Sequence, residues 1–373
     1  MHNAHQRLLS LDALRGLTVA MMILVNNGWG ETFTPLEHCH WNGMTPCDLV
    51  FPFFLFMVGV SIHLSLSRHQ GQQGMVAKIL KRTAILFFIG VALHAWDMAL
   101  WGDAASIPGH IRIWGVLQRI ALSYGAAALF VNAFKGKYLW RTIISLLTLY
   151  GIILIWGNGY SENPDENLLS IVDRQLFGNH LYVLTLRGDL TVDPEGLVGV
   201  IAGIAHALIG VACGRALTSD WQSRQGVVRQ GIESRMLRLL IIASAMGICG
   251  YLLSFGLPLN KSIWSPSYCL VSCSLAASTL ALFTYLIDMQ GHKRWCKVFQ
   301  MFGMNTILIY TLSEMSPSLF GISGISNAIH DLWVSVWGLG LPKMISLSYA
   351  LTIDLIMAFV AWILYRRRIF VKV

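Results

Sequence analysis

The 373-residue chain is short of charge, with only 12% of its residues Asp, Glu, Lys or Arg, against about 25% in an ordinary soluble domain. So few charges cannot cover the core of a water-soluble fold this long, and a mean hydropathy of +0.59 points the same way. Acids are scarcer than bases, 19 against 27, for a net charge of +8. A nucleic-acid partner would need those bases gathered on a solvated face; they are scattered through short polar stretches, so none is expected. The seven cysteines, Cys39, Cys47, Cys213, Cys249, Cys269, Cys273 and Cys296, lack both CxxC pairing and the Cys/His spacing of a zinc site. Most read as small apolar residues of helices. Cys39 and Cys47 share one polar connection, as free thiols or, if it faces an oxidising compartment, as a disulfide. The first 13 residues lack a signal-peptide apolar region and the first apolar helix lacks a small-residue cleavage site after it, so that helix is expected to stay in the mature protein. No strand-like alternation suits a β-barrel. There is no low-complexity tract and no second domain, and the lack of an obvious internal repeat argues against the inverted repeats of many secondary transporters.

What is abundant is apolar: 55% hydrophobic residues, with 34 Gly and 13 Trp. Glycine and interfacial tryptophan are both frequent in polytopic membrane proteins. At ~20 residues per span, ten candidate helices appear, at 12–29, 49–67, 79–101, 113–134, 139–157, 196–217, 236–256, 265–287, 297–316 and 344–365. An eleventh stretch, 319–338, carries His330 and Asp331 and a Gly/Ser-rich FGISGIS run, which suits a surface-lying or re-entrant segment. Placing the N-terminus in the cytoplasm puts 21 of the 27 Lys and Arg on inner connections and five (Arg112, Arg174, Arg187, Lys261 and Lys343) on outer ones, with Arg119 inside a span. This is a positive-inside pattern, and an eleventh span would put the YRRRIFVK tail on the wrong side. The expected architecture is all-α: one domain over 1–373, an integral membrane protein of about ten spans with both termini cytoplasmic. Its outer elements are a cap at 158–195, ordered or flexible, and a second segment at 317–343. Most acids fall outside, among them Glu31, Glu37, Asp103, Glu162, Asp165, Glu166 and Asp173.

Polar groups within or bordering spans are costly, so each needs a partner or a job. Asp12 and Arg15, three apart on the first helix, read as an intrahelical ion pair. Asn26 and Asn27 close that helix; either amide can cap it, or polarise a carbonyl. The following connection, ETFTPLEHCHWNGMTPCDLV, packs Glu37, His38, His40, Trp41, Asn42 and Asp48 between two helices. His38 and His40 can take and return a proton near neutral pH, or are simply hydrogen-bonded loop residues. No helical HxxxH or HxxE spacing supports a metal, and none is expected. In RIWGVLQRIA, Arg112 sits at a helix mouth, with Gln118 and Arg119 one and two turns inside. A buried Arg119 must meet an anion, from the protein or from a ligand phosphate. Asp193 and Glu195 in VDPEG open a helix, where acids suit the dipole. Asn260 and Lys261 in LPLNKSIWSPSY, Asn305 in FGMNTILIY and Glu314 complete the set, each with a structural or a binding role open.

The order of these pieces resembles the membrane acetyltransferases typified by heparan-α-glucosaminide N-acetyltransferase, with their bacterial relatives. It runs from RLLSLDALRG through VNNGWG and HCHWNGMTPCDLVFPFFLFMVGVSI to RIWGVLQRIA, IVDRQLFGNHLY, VDPEGLVG, NKSIWSPSY, GMNTILIY and ILYRRRIF, nearly the whole chain. The sequence lacks the N-terminal lumenal domain and leading helix of the lysosomal enzyme, as expected of a bacterial-type protein of the inner membrane. The resemblance implies transfer of an acetyl group from cytoplasmic acetyl-CoA to an amino sugar, such as a terminal glucosamine, across the bilayer. It implies His38, three residues before the Trp of WNG, as the catalytic histidine, and Asn26 in VNNG as the catalytic asparagine. Asn27, His40, Trp41, Asn42, Asp48, Arg112, Gln118, Arg119, Asp193, Glu195, Asn260, Lys261 and Asn305 are the expected contacts of substrate or acetyl-CoA. Gly-rich and aromatic helix faces would permit a homodimer. Two other readings are an O-acyltransferase of cell-surface glycans, whose members open with a similar LDxLRG helix, and a transporter lined by Asp12, Arg119 and the outer acids.

Overall fold

A computed structural model describes residues 8–68, 74–101, 111–178, 180–181, 192–218, 221–223, 226–228 and 231–371. The expected spans appear as helices: α1 (Leu9–Asn26), α2 (Val50–Arg68), α3 (Met75–Trp101), α4 (Val116–Phe134) and α5 (Leu139–Trp156). After the short α6 (Leu168–Phe177) come α7 (Val200–Thr218), a small hairpin of β1 (Trp221–Ser223) and β2 (Gly226–Val228), α8 (Ile232–Leu253) and α9 (Pro266–Phe283), which runs on in a π-helical turn. Then follow α10 (Lys297–Met304), α11 (Thr306–Ile322), α12 (Ile325–Trp337) and α13 (Pro342–Arg366). Eight of the described segments are long and apolar enough to cross a membrane. The protein is an all-α polytopic membrane fold.

Two expectations are refined. The ninth span, read as one helix over 297–316, is two helices broken at Asn305, whose backbone leaves the helical region at φ −124° and ψ 37°. Asn305 Nδ2 donates to the Ile369 carbonyl (3.0 Å) and its Oδ1 accepts from the Val371 N–H (2.9 Å). The side chain thus satisfies backbone groups of the segment that follows α13, and a broken helix is tolerated where protein covers the break. The weak 319–338 stretch divides between the end of α11 and α12, which pins itself to α13 through Trp333 Nε1 to Thr352 Oγ1 (3.0 Å) and Trp337 Nε1 to Ser348 Oγ (2.9 Å).

Small residues bring the helices together. α7 reads VIAGIAHALIGVACGRALT, apolar all round, and is the most buried of the candidate spans, as such a helix must be. A Cβ on Gly210 would lie 2.2 Å from the Phe56 carbonyl oxygen, and one on Gly59 2.0 Å from that of Ala207. Only glycine at both points lets α2 and α7 touch backbone to backbone, the small-residue packing of membrane helices. α1 meets α10 in the same way at Gly16 and Gly303.

Tertiary hydrogen bonds sort the connections onto two ends. At one end, Trp41 Nε1 donates to the Tyr160 carbonyl (2.8 Å), the Gly43 N–H to that of Leu259 (2.7 Å), and the Trp29 N–H to Ser346 Oγ (2.9 Å). At the other, the Ser10 N–H reaches Asp288 Oδ2 (3.3 Å), Arg215 the Gly136 carbonyl (3.4 Å), and Asn305 the tail after α13. Both ends of the described chain therefore sit at the second end, as an even number of crossings requires. α6 belongs to the first end. Asn167 caps it by accepting the Leu169 N–H (3.0 Å) while its Nδ2 donates to the Gly159 and Ser161 carbonyls (both 2.9 Å). This orders part of the 158–195 cap; residues 179 and 182–191 lie outside the described set.

Candidate active site

The loop between α1 and α2 is built around one buried carboxylate. Pro46 starts a 3-10 turn, Cys47–Leu49, that delivers Asp48 to the base of α2. Asp48 is fully buried, and a charge there survives only with partners. Its Oδ2 accepts the N–H of Cys39 (3.1 Å) and the N–H of Thr45 (3.0 Å), while the Thr45 hydroxyl, 3.1 Å away, donates to the Glu37 carbonyl (2.7 Å). Its Oδ1 lies 2.8 Å from His38 Nδ1 and 3.5 Å from Lys261 Nζ. Gly43, at φ +126°, takes a backbone conformation that glycine favours and turns the loop so that its N–H meets Leu259.

The connection between α8 and α9 supplies the other wall. Asn260 Oδ1 accepts the Ile263 N–H (3.1 Å) and its Nδ2 donates to Asn42 Oδ1 (3.2 Å), tying that turn to the first loop. Tyr268, on α9, donates its hydroxyl to the Asp48 carbonyl (2.6 Å). Lys261 then falls 3.0 Å from His38 Nδ1 and 3.1 Å from Nε2. An ammonium has no lone pair and can only donate. With Nδ1–H given to Asp48, the nitrogen left to accept is Nε2, and the carboxylate fixes that tautomer. The His38 side chain stays 55% exposed while Asp48 is shut away: a ring held from behind and open in front. Cys47 Sγ also lies 3.1 Å from His38 Nδ1. Cys39 and Cys47 are free thiols, Cys39 turned to the Asn42 carbonyl.

His40 is placed differently. Its side chain is 91% exposed, and Glu162, 3.9 Å away, is the one carboxylate beside it among the described residues. The two asparagines also separate. Asn27 is buried and donates to the Ile23 carbonyl of its own helix (2.8 Å), whereas Asn26 is exposed and donates to Glu314 Oε1 on α11 (3.1 Å).

A second polar cluster lies at the same end. Arg112 Nη2 bonds Asp193 Oδ1 and Glu195 Oε2, both at 2.7 Å, and Asp193 Oδ1 also accepts the Glu195 N–H (2.9 Å). Burial opposes the Arg112 charge, but the Asp193 and Glu195 carboxylates outweigh it and hold the guanidinium above the usual arginine range. Arg119 is buried, donates to the Pro194 carbonyl and lies 4.6 Å above the Trp264 ring, a cation–π contact. Its Nε and the Gln118 Nε2 are buried without a hydrogen-bond partner among the described residues.

Burial pushes the Asp173 carboxyl, in α6, up to about 6, with nearby Asp193 adding to the rise and the Leu197 N–H opposing it. A carboxyl raised in the folded state stabilises the fold below its ordinary 3.8 and loses that contribution as pH rises through about 6. Asp173→Asn is therefore expected to raise the unfolding temperature at pH 7.5 and to leave it nearly unchanged at pH 3.5, measured in detergent by intrinsic fluorescence. Equal shifts at both pH values would refute the assignment.

The structure thus joins His38, Asp48 and Lys261 in one group, with Asn42, Asn260 and Trp41 bracing it. It gathers Arg112, Asp193, Glu195 and Arg119 in a second, pairs Asn26 with Glu314, and sets Asn305 at the opposite end. Tyr268 and Thr45 were not singled out in the sequence, and Cys47 was read there only as a thiol or disulfide partner; nothing local marks Tyr268 as the partner of a carbonyl 220 positions away. Also unforeseen is a fully buried trio, His206, Cys269 and Cys273, with ligand-capable atoms within 4.8 Å of one another. His206 Nε2 is engaged by the Pro52 carbonyl (2.9 Å) and Nδ1 faces Cys269 Sγ (3.5 Å). Three ligands are one short of a closed structural zinc site.

Known proteins resemble the chain across these elements. It is 28% identical to the heparan-alpha-glucosaminide N-acetyltransferase of Mus musculus, over 84% of this chain and 54% of that protein. It is 27% identical to that of Homo sapiens, over 98% of this chain and 60% of that protein. The chain thus spans little more than half the length of these relatives. The sequence profile described as "Heparan-alpha-glucosaminide N-acetyltransferase, catalytic" matches residues 7–255, a stretch holding His38, Asp48, both arginines and the VDPEG turn, and the chain belongs to that family.

Proposed function

We propose that the protein is a transmembrane N-acetyltransferase, moving an acetyl group from acetyl-CoA to the amino group of a glucosamine-type sugar. The observation that carries this reading is the His38 ring, its Nδ1 held on buried Asp48 while its side chain stays 55% exposed, in a chain of this family. Attack of an amine on a thioester needs a base for the ammonium proton that develops and a donor for the oxyanion. His38 Nε2 takes that proton and Asp48 stabilises the resulting imidazolium, while the thiolate of CoA leaves. Asn26, whose amide already reaches across to Glu314, is the oxyanion donor, and Lys261, 3.1 Å from Nε2, must yield that position to the incoming amine. A route through an acetyl-imidazole on Nε2 uses the same residues: the imidazole takes the acetyl group first, and the amine removes it in a second step.

The donor enters from the end rich in Lys and Arg, taken as cytoplasmic on the positive-inside pattern, and the acceptor from the His38 end. Acids at that end, Asp193 and Glu195 among them, suit an amino sugar carrying a proton. In a bacterial cell this places the protein in the inner membrane. The test is direct: the purified full chain in detergent, given radiolabelled acetyl-CoA and glucosamine, should form N-acetylglucosamine. Movement of labelled glucosamine into proteoliposomes without any acetylated product would replace this reading with a transporter.

A further inference from the structure

Where α7 meets α9, three soft or borderline metal ligands come together inside the bundle. His206 belongs to α7, Cys269 and Cys273 to α9, and all three are fully buried. The two cysteines are four positions apart and so share one face of their helix. Their sulfurs and a ring nitrogen of His206 lie within 4.8 Å of one another, and no carboxylate joins them among the described residues. A histidine inside a span is costly unless its polar atoms are used. His206 Nε2 lies 2.9 Å from the Pro52 carbonyl. A carbonyl only accepts, so Nε2 carries the ring proton and Nδ1 keeps its lone pair. That lone pair faces Cys269 Sγ at 3.5 Å, and a thiol is only a weak donor. Histidines that bind metals are held in this way, with one N–H fixed on a backbone carbonyl and the other nitrogen left to ligate.

We propose that His206 Nδ1, Cys269 Sγ and Cys273 Sγ bind one monovalent copper ion, Cu(I), in a trigonal site that joins α7 to α9. The donor set selects the ion. Thiolates favour soft ions such as Cu(I), and imidazole suits copper as well as zinc. Zinc would need water as a fourth ligand, in a place where none of the three side chains has exposed surface; three donors suffice for Cu(I). With bonds of about 2.0–2.3 Å, as for zinc, trigonal donors stand roughly 3.5–4 Å apart, the spacing that Nδ1 and Cys269 Sγ already have. Binding forms two Cu–S bonds and one Cu–N bond and releases both thiol protons to solvent, while copper stays Cu(I) and no electron moves. Two thiolates leave the site with a single negative charge. Arg119, over the Trp264 ring that meets His206 edge-on, sets a permanent positive charge on that side. The ion cross-links α7 to α9 and, through Pro52, steadies α2. Tyr268, beside Cys269, donates to the Asp48 carbonyl, so the cross-link also braces the base of the His38 loop. None of this depends on the acetyltransferase reading.

The purified full chain, reduced and kept anaerobic in detergent, is given Cu(I) buffered by the chelator bathocuproine disulfonate. Bound copper and the unfolding temperature are measured for the wild type, Cys269→Ala, Cys273→Ala and Cys213→Ala. Cys213 is also buried on α7 but is not one of the trio. The wild type and Cys213→Ala should hold one copper that resists the chelator, and should melt at a higher temperature with it than without. Losing a residue that merely orients a metal ligand weakens binding by about 10- to 100-fold, so losing a ligand should weaken it by at least that factor and abolish the rise in melting. Wild-type copper affinity in folded Cys269→Ala and Cys273→Ala overturns the site. If those variants fail to fold, X-ray absorption on the copper-loaded wild type decides: two sulfurs and one nitrogen around Cu(I) support the site, and any other donor set overturns it. Tighter retention of Zn(II) than of Cu(I) by the same three residues overturns the choice of ion.

Discussion

His38→Ala is expected to lower the rate of acetyl transfer by about 10²- to 10⁴-fold, the usual contribution of a positioned general acid–base group. His40→Ala should leave it within about threefold, since an exposed side chain with one distant partner adds little. The two histidines are two residues apart and chemically identical, so only their surroundings separate them. His38 has a carboxylate at 2.8 Å behind it and an ammonium beside it, whereas His40 projects from the loop with 91% of its side chain exposed. Initial rates with labelled acetyl-CoA and glucosamine check both variants. The assignment is reversed if His40→Ala abolishes transfer while His38→Ala retains it.

Asp48→Asn should cost about as much, 10²- to 10⁴-fold if His38 is the base, for a reason that the hydrogen-bond count makes definite. Oδ2 accepts two backbone bonds, from the Cys39 N–H and the Thr45 N–H. An asparagine has one acceptor oxygen, and these two fixed donors claim it. Its NH₂ group is then turned to His38 Nδ1 and Lys261. Facing a donor, Nδ1 must accept, the ring proton moves to Nε2, and the lone pair needed for the amine is lost. Asp48→Ala removes the carboxylate altogether and strands the Lys261 ammonium and the two N–H donors. Deleting one partner of a buried ion pair costs roughly 3–5 kcal/mol, so this variant should also unfold at clearly lower temperature. A thermal melt and a transfer assay on the same preparations separate the two effects: Asp48→Asn should lose rate with a smaller loss of stability than Asp48→Ala. Full activity in Asp48→Asn would refute the tautomer argument.

Much of the scaffold was legible because its signals are local. A run of ~20 apolar residues states a span by itself, and the ends of α1 to α5 and of α7 to α9 fall within a few residues of the stretches read from hydropathy. The exception is instructive. Residues 297–316 are apolar throughout, but Asn305 breaks the helix because its amide serves the backbone at Ile369 and Val371, and no window around Asn305 contains those residues. The same limit applied to the site. The density of polar residues between α1 and α2 marked His38, His40, Asn42 and Asp48 as a set, without ranking them. Asn26 and Asn27 are indistinguishable by composition, and only the helix rotation shows that Asn27 turns back to Ile23 while Asn26 reaches α11.

By itself, the sequence determined a membrane-embedded, all-helical chain with an uneven distribution of bases, and its motif order pointed to an acetyltransferase family. These properties are sums over local stretches, and hydropathy and charge need no partner to be counted. Tertiary structure decided which residues act together. Lys261 and Tyr268 reach Asp48 and His38 from more than 200 positions away, and Arg82 meets the Tyr124 ring across a helix interface. Such pairings depend on how closely helices approach, which glycines such as Gly59 and Gly210 set by letting backbones touch. A buried charge is affordable only where that approach delivers its partner, so the chemistry of the site belongs to the packing.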